Sequence, residues 1–197
     1  MGLCTTIDLF SGYCGFELGL RLSGVETITA CYVENGKYQQ KVIQARIKDG
    51  SLDDAPIWDD ITTFDGRPWR GHVDLTTAGF PCQPHSTAGK RLGKKDPRNL
   101  WPDSLRIIRE VGSRHVLLEN VRALVDGKEP FAAEVLGELS EAGYDAVWGL
   151  FSAAEVGAPH LRERWWCHSS TDSGHAGIET AQVDSRKQRR DRPEARV

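Results

Sequence analysis

One cysteine of this sequence stands in a setting that suits nucleophilic chemistry. Cys82 lies in the run Gly79-Phe-Pro-Cys-Gln-Pro, directly after an apolar stretch over 73–80 that has strand character. In open α/β sheets, ligands bind outside the carboxyl ends of the strands, so a cysteine at that point faces a substrate. The alternative is a buried, inert thiol, which is the expectation for Cys4 and Cys31 in their apolar surroundings. A thiol of ordinary pKa, about 8.5, needs nearby positive charge to become a nucleophilic thiolate.

A second group able to do chemistry is Glu119, which closes the apolar run over 116–118 at the same predicted edge of the sheet. Partial burial disfavours the charged carboxylate and raises its pKa, so Glu119 could donate a proton. The alternative is a carboxylate that caps the next helix or pairs with an arginine. Two sets of cations are candidates for activating Cys82. Arg162 and Arg164 could line the same pocket, and five basic residues lie between positions 90 and 98 in the loop that follows the cysteine.

A strand-loop-helix near the N-terminus is typical of a nucleotide-type cofactor site. Gly12 and Gly15 allow the backbone to approach a ligand at a helix N-terminus, although such a pair also occurs in ordinary turns. Glu34 ends the next predicted strand, where an acidic side chain accepts hydrogen bonds from ribose hydroxyls. Asp60 could accept from an adenine amine or simply cap a turn. Because the loop lacks a phosphate-binding G-K-[ST], the pattern favours a nucleoside-type cofactor that has a ribose and no phosphates, and S-adenosylmethionine meets this description.

These residues need a parallel sheet to bring them together, and the sequence alternates accordingly. Strand-like runs cover 5–10, 25–34, 73–80, 115–120, 144–153 and 164–167, with a shorter extended piece at 57–64. Helical runs cover 16–23, 36–47, 100–111 and 130–143. This alternation predicts an α/β fold with a doubly wound, mostly parallel sheet.

Composition narrows the class of protein further. The chain has 197 residues, a length at which we expect one domain. No apolar run approaches the roughly 20 residues of a membrane helix, and we expect the cytoplasm as the compartment. Its five cysteines include no C-x-x-C pair, which argues against a disulfide framework and against a zinc site, and we expect no bound metal. The stretch 169–197 is polar and predicts a disordered tail behind a domain at 1–168.

The loop after Cys82 is rich in cations. Because the net charge is −3, any contact with nucleic acid depends on such local clusters. We expect this loop to grip DNA phosphates, the alternative being a solvated basic loop. The candidate DNA-binding residues are Gln83, Ser86, Lys90, Arg91, Lys94, Lys95 and Arg98.

Taken together, these motifs resemble those of the DNA cytosine-5 methyltransferases. The run from Asp8 to Gly19 is similar to that family's first motif, Gly79–Ser86 to its nucleophile motif and Glu119–Val121 to its general-acid motif. Residues 158–164 resemble a later Gln-x-Arg-x-Arg motif, so the resemblance covers about residues 5 to 168. It implies a Rossmann-like, S-adenosylmethionine-dependent methyltransferase fold and methylation of carbon 5 of a flipped cytosine.

The resemblance also implies a role for each matching residue. Cys82 would attack the base, Glu119 would act as the acid, Arg164 would contact the flipped cytosine and Arg162 would steady the pocket. The cofactor would be held by Phe10, Gly12, Gly15, Glu34, Asp60, Ile61, Pro81 and Leu100.

The sequence departs from the family pattern in several places. Cys14 stands where a second glycine is usual, His85 where an aromatic residue is common and His160 where glutamine is expected. The family normally continues into a target-recognition domain and two closing motifs, which 169–197 do not supply. The favoured hypothesis is a methyltransferase that acts on double-stranded DNA and is either truncated or completed by a second chain that supplies these parts. An inactive cofactor- or DNA-binding remnant and an RNA cytosine-5 methyltransferase remain alternatives.

Overall fold

Strands and helices alternate along the chain. The computed structural model describes residues 2–81, 99–127, 130–172 and 182–183. The strands are β1 (Cys4–Leu9), β2 (Thr27–Val33), β3 (Ile57–Trp58), β4 (Leu75–Ala78), β5 (His115–Val121), β6 (Asp145–Ser152), β7 (Glu163–Ser170) and β8 (Gln182–Val183). The helices are α1 (Gly15–Leu22), α2 (Lys37–Lys48), α3 (Trp101–Val111), α4 (Ala123–Asp126) and α5 (Ala132–Glu141), with 3-10 turns at Arg67–Trp69 and Ala153–Val156.

All of these strands belong to one sheet with the order β3-β2-β1-β4-β5-β7-β6-β8. Strands β1 to β5 run parallel, whereas β7 is antiparallel to both β5 and β6. The predicted α/β class with a mostly parallel sheet is therefore confirmed. Because β1, β2 and β4 point the same way, the loops that follow them meet at one edge of the sheet.

The main core lies on one face of the sheet, beneath α3 and α5. Side chains alternate between the two faces of a strand, and on β5 Val116 and Leu118 are fully buried on the core side. Trp165 and Cys167 continue this face onto β7, where Val135 and other apolar residues of the two helices pack in the same cluster. This single cluster anchors the strands that carry the predicted site.

The opposite face is covered less completely. Tyr32 on this face and Ile43 of α2 form a second, smaller cluster beneath the helices. Over β5 and β7, Leu117 and Trp166 are only half-buried, and a cavity of about 260 Å³ opens between them and α1. The helical layer over β5 and β7 is therefore thinner than the layer on the core side.

Two sequence predictions differ from the structure. The extended piece expected over 57–64 is a strand only at Ile57–Trp58, because Asp60 Oδ1 accepts hydrogen bonds from the backbone N–H and the hydroxyl of Thr62 and turns the chain. Cys4, expected to be buried, is half-buried at the first position of β1, while Cys31 is buried as expected.

The sheet also extends beyond the predicted domain boundary at residue 168. Ser169 and Ser170 belong to β7, and Gln182–Val183 pairs with β6. An ion pair at 3.1 Å joins Asp172 to Arg114 near the start of β5. The proposed disorder of the remaining tail falls outside the described residues. In the part of the chain that the structure describes, no helix has the length and apolar character needed to span a membrane.

Candidate active site

The structure brings Glu119 and Arg164 together at the edge of the sheet. Glu119 lies near the end of β5 and Arg164 near the start of the antiparallel β7, which places their side chains on the same, less covered face. Arg164 Nε lies 2.7 Å from Glu119 Oε1, and both side chains are about three-quarters buried. The pair is therefore a charge-assisted hydrogen bond in a partly desolvated setting.

Burial raises the pKa of the Glu119 carboxyl above its ordinary value, as the sequence predicted. The charge and hydrogen bond of Arg164 oppose this rise, and the charge of Arg162 opposes it more weakly. Desolvation is the largest of these effects, so the carboxyl holds a proton more readily than an exposed glutamate.

The chain segment that leads to Cys82 passes directly beside Glu119. A methyl group placed on Gly79 would lie 3.6 Å from Glu119 Oε2, so glycine leaves the carboxyl open at this point. The side chain of Asn120 donates a hydrogen bond of 2.9 Å to the carbonyl of Phe80 and so fastens this segment to β5. Pro81 is half-buried and is the last described residue before Cys82.

Arg162 and Arg164 line an open cavity of about 500 Å³ whose other walls are mostly apolar, including Phe151 and Trp166. Arg162 is exposed, whereas Arg164 is held by Glu119 and by the carbonyl of Glu163. The cavity thus carries two cations next to a carboxyl, with an apolar wall that can receive a flat ring.

The loop between β1 and α1 has an unusual backbone. Phe10, Gly12 and Cys14 all have a φ near +57°, in the left-handed region that glycine adopts most easily. At Cys14, where the sequence lacks the usual glycine, the buried side chain packs with Tyr32 and Ile43 and so offsets part of the strain. Such strain is typical of ligand-binding loops.

Glu34 connects this loop to β2. Its Oε2 accepts a hydrogen bond of 2.8 Å from the backbone N–H of Gly12, and its Oε1 accepts one of 2.6 Å from that of Gly36. Gly15 is the first residue of α1 and lies three residues after Gly12. The predicted ribose ligand and the predicted glycine loop are therefore in direct contact.

The remaining predicted cofactor residues lie near the same edge. Asp60 is exposed in the turn after β3, where hydrogen bonds from Thr62 lower the pKa of its carboxyl. Ile61 is buried in the main core cluster, and Leu100 packs against that cluster immediately before α3.

Several predicted site residues lie outside the described residues, and their roles remain predictions. They are Cys82, Gln83, Ser86, Lys90, Arg91, Lys94, Lys95 and Arg98. Over the described ranges, no group of three His, Cys, Asp or Glu side chains could hold a metal ion.

Comparison with known proteins identifies the family to which this site belongs. Residues 4–194 match the family model of the C-5 cytosine-specific DNA methylases. The chain belongs to this family. Among curated relatives of the cytosine-5 methylase chain, type II methyltransferase M.NgoMIV of Neisseria gonorrhoeae is 33% identical over 161 residues, which is 81% of the chain and 49% of the relative. Type II methyltransferase M.CviJI of Paramecium bursaria Chlorella virus IL3A is 34% identical over 164 residues, 82% of the chain and 42% of the relative.

Solved structures support the fold of this methylase chain. A mutant of DNMT2 from Spodoptera frugiperda superposes with a TM-score of 0.73 at 19% identity, covering 91% of the chain and 54% of that protein. Dnmt2 of S. pombe gives a TM-score of 0.70 at 21% identity, covering 95% of the chain and 54% of that protein. The chain thus spans about half the length of the proteins that it matches.

Sequence reasoning assigned no separate role to two features of this methylase site. Asn120 was noted only as part of a motif, although its amide ties the Cys82 segment to β5. Arg106 of α3, whose guanidinium binds the carbonyl of Ile61, was not singled out at all. An arginine inside an amphipathic helix carries no local signal of its target, because that target is 45 residues away in sequence.

Proposed function

We propose that this chain is the catalytic part of a DNA cytosine-5 methyltransferase. It would transfer a methyl group from S-adenosylmethionine to carbon 5 of a cytosine flipped out of double-stranded DNA. The observation that carries the proposal is the Glu119 carboxyl, held by Arg164 at 2.7 Å and adjoining Gly79, three residues before Cys82. Family membership supports the reaction type.

The residues present at the sheet edge fit the proposed cofactor. The cofactor is cationic, and the edge offers the carboxylates of Glu34 and Asp60. The buried Asp8 adds a carboxyl whose Oδ2 has no hydrogen-bond partner among the described residues and could form a hydrogen bond to the ligand. Phe10 and Gly12 would present backbone groups, Glu34 would hold the ribose, and Asp60 and Ile61 would hold the adenine. When bound, S-adenosylmethionine supplies an electrophilic methyl group.

The residues of the chain would act on the cytosine in a fixed order. The thiolate of Cys82 adds to carbon 6 of the ring while Glu119 protonates ring nitrogen 3, which makes carbon 5 nucleophilic. After carbon 5 is methylated, water takes the carbon 5 proton, Cys82 leaves as the thiolate, and ring nitrogen 3 returns its proton to Glu119, which restores the neutral aromatic ring. Arg162 and Arg164 favour the thiolate by their charge. Flipping costs a few kcal/mol, and we propose that the basic loop after Cys82 offsets this cost by binding phosphates.

We further propose that a second chain supplies the target-recognition part. The chain spans 49% and 42% of two type II relatives, so a large part of those proteins has no counterpart in it. The half-buried Leu117 and Trp166 on the less covered sheet face offer such a partner an apolar surface to bury.

Covalent trapping tests the reaction. Carbon 5 of 5-fluorocytosine has no proton to lose, so the Cys82 adduct persists. With S-adenosylmethionine and the proposed second chain present, we expect the full chain to form an adduct with a pool of random-sequence duplexes that contain 5-fluorocytosine. Cys82→Ser should form none, whereas Cys4→Ser, which removes a half-buried thiol at the start of β1, should behave like the wild type.

Each other outcome of this experiment has a definite meaning. An adduct in Cys82→Ser would place the nucleophile elsewhere. Trapping on fluorinated RNA but not on DNA would favour the RNA methyltransferase. If the wild type binds the cofactor in a calorimetric titration and yet traps neither polymer even with the proposed second chain present, the chain is a cofactor-binding remnant.

A further inference from the structure

An arginine of helix α3 binds the backbone of the turn that follows β3. Arg106 Nη1 donates a hydrogen bond of 2.8 Å to the carbonyl of Phe64, and Nη2 donates one of 2.8 Å to the carbonyl of Ile61. Nη2 also donates to the carbonyl of Thr62 at 3.5 Å. One side chain therefore spans the whole turn.

Arg106 is itself held in place by two acids of the same helix. Asp103 and Glu110 lie 3.3 Å and 3.2 Å from its guanidinium, one turn before and one turn after it. Glu110 also accepts a hydrogen bond of 2.9 Å from the backbone N–H of Gly66. A methyl group on Gly66 would lie 2.9 Å from Glu110 Cβ, so only glycine permits this close approach. The segment from 61 to 66 is thus fastened to α3 at both ends.

These contacts do not serve to close the turn. The turn already has its own hydrogen bonds, from Thr63 N–H to the Asp60 carbonyl at 3.1 Å and from the Thr62 hydroxyl to Asp60 Oδ1 at 2.7 Å. What Arg106 adds is the position of the turn relative to α3. The same helix begins beside Leu100, another proposed cofactor contact. Helix α3 therefore fixes the positions of Asp60, Ile61 and Leu100 relative to one another.

We propose that Arg106, supported by Glu110, is a positioning residue that sets the adenine side of the cofactor site. It fixes the carbonyls that follow Asp60 and so aligns the Asp60 carboxylate and the Ile61 side chain with the adenine. This inference rests on the proposed function, because it assumes that Asp60 and Ile61 bind the cofactor.

The chemistry of arginine makes a specific demand here. Two carbonyls three residues apart need two N–H groups in a rigid fork, which the guanidinium supplies and the single ammonium of lysine does not. Arg106→Lys keeps the charge between Asp103 and Glu110 but cannot span the turn. Lysine at 106 should therefore behave like glutamine in cofactor binding.

The experiment compares four full-length proteins, namely the wild type, Arg106→Lys, Arg106→Gln and Arg109→Gln. Arg109 lies on the exposed side of the same helix and serves as the matched control. Calorimetric affinity for S-adenosylhomocysteine should fall about tenfold in both Arg106 variants, the effect of losing one or two hydrogen bonds. Arg109→Gln should stay within about twofold of the wild type.

Amide hydrogen exchange supplies a second readout that needs no ligand. Exchange at Thr63, Phe64 and Gly66 should quicken in the Arg106 variants and not in Arg109→Gln. Unchanged exchange, or full affinity in Arg106→Lys, would overturn the positioning role. Faster exchange with unchanged affinity would separate the turn from the cofactor. If the wild type binds no S-adenosylhomocysteine, both the link between Arg106 and the cofactor and the cofactor part of the proposed function are refuted. The hydrogen-exchange rates would then still decide whether Arg106 holds the turn.

Discussion

Asp8 shows burial and hydrogen bonding acting against each other on one carboxyl. The residue is 2% exposed on β1, with the Thr77 hydroxyl donating a hydrogen bond to Oδ1 at 2.5 Å. Oδ2 is buried and has no partner in the described part of the chain. Desolvation is the largest effect and raises the pKa of Asp8 to about 7, while the hydrogen bond from Thr77 only moderates the rise.

This pKa predicts a specific dependence of stability on pH. The folded state keeps the Asp8 proton up to a pKa of about 7, whereas in the unfolded state the carboxyl loses it near 4. Between these values the folded state binds more protons, so the free energy of unfolding falls as the pH rises. Relative to Asp8→Asn, the wild type should lose on the order of 2–4 kcal/mol between pH 4 and pH 8.

Urea denaturation of both proteins at pH 4.5, 6 and 8 measures this difference directly. Titrating groups that do not interact with Asp8 contribute equally to both proteins and cancel in the comparison; Glu17 and Glu34 do interact with Asp8. Parallel stability curves for wild type and Asp8→Asn would show that Asp8 titrates normally in the folded protein.

The β1–α1 loop and β2 act as one unit because Glu34 joins them. Each carboxylate oxygen accepts a backbone N–H, one from Gly12 in the loop and one from Gly36 just before α2. The same carboxylate is the proposed ribose ligand, so cofactor binding and loop geometry depend on one side chain. This arrangement explains how a loop with three left-handed residues is held in a single conformation.

Replacing Glu34 should therefore affect both stability and binding. In Glu34→Gln, one of the two backbone donors faces an NH₂ group instead of an oxygen, and we expect a loss of about 1–2 kcal/mol in the free energy of unfolding. Affinity for S-adenosylhomocysteine should fall by about tenfold or more, measured by calorimetry. Glu141→Gln, a change at an exposed glutamate of α5, is the control. Unchanged affinity in Glu34→Gln would mean that the ribose assignment is wrong.

The two faces of the sheet differ in how completely helices cover them. Leu118 points into the main core and is fully buried, whereas its neighbour Leu117 points to the less covered face and is half-buried. The two leucines are adjacent in sequence and identical in chemistry, so the fold alone determines what each contributes to stability.

Truncating each leucine to alanine should reveal this asymmetry. Leu118→Ala leaves a cavity in the core and should lower the free energy of unfolding by about 2–5 kcal/mol. Leu117→Ala should cost about 1 kcal/mol in the isolated chain, because its side chain still contacts water. Chemical denaturation measures both values. Equal losses would show that the second face is as well packed as the first.

The sequence alone determined the α/β class and the order of most elements, and it predicted the chemistry of the site. Local patterns carry this information: apolar alternation defines the strands, Gly12 and Gly15 define the loop, Cys82 follows one predicted strand and Glu119 closes the apolar run of another. It also predicted the direction of the Glu119 pKa, because an acid at the end of a buried strand loses water on folding.

Only the tertiary structure decided which groups meet across long stretches of sequence. The contacts of Arg164 with Glu119 and of Arg106 with Ile61 join residues 45 apart, and nothing local encodes either partner. Register between strands brings the first pair together, and helix packing brings the second. The same holds for two strand ends that the apolar pattern did not predict. Strand β3 ends early at Trp58, and β7 continues to Ser170 because that residue pairs with His115 of β5. Such contacts depend on the global fold, because a side chain's partner is fixed only once the sheet and its helices have assembled.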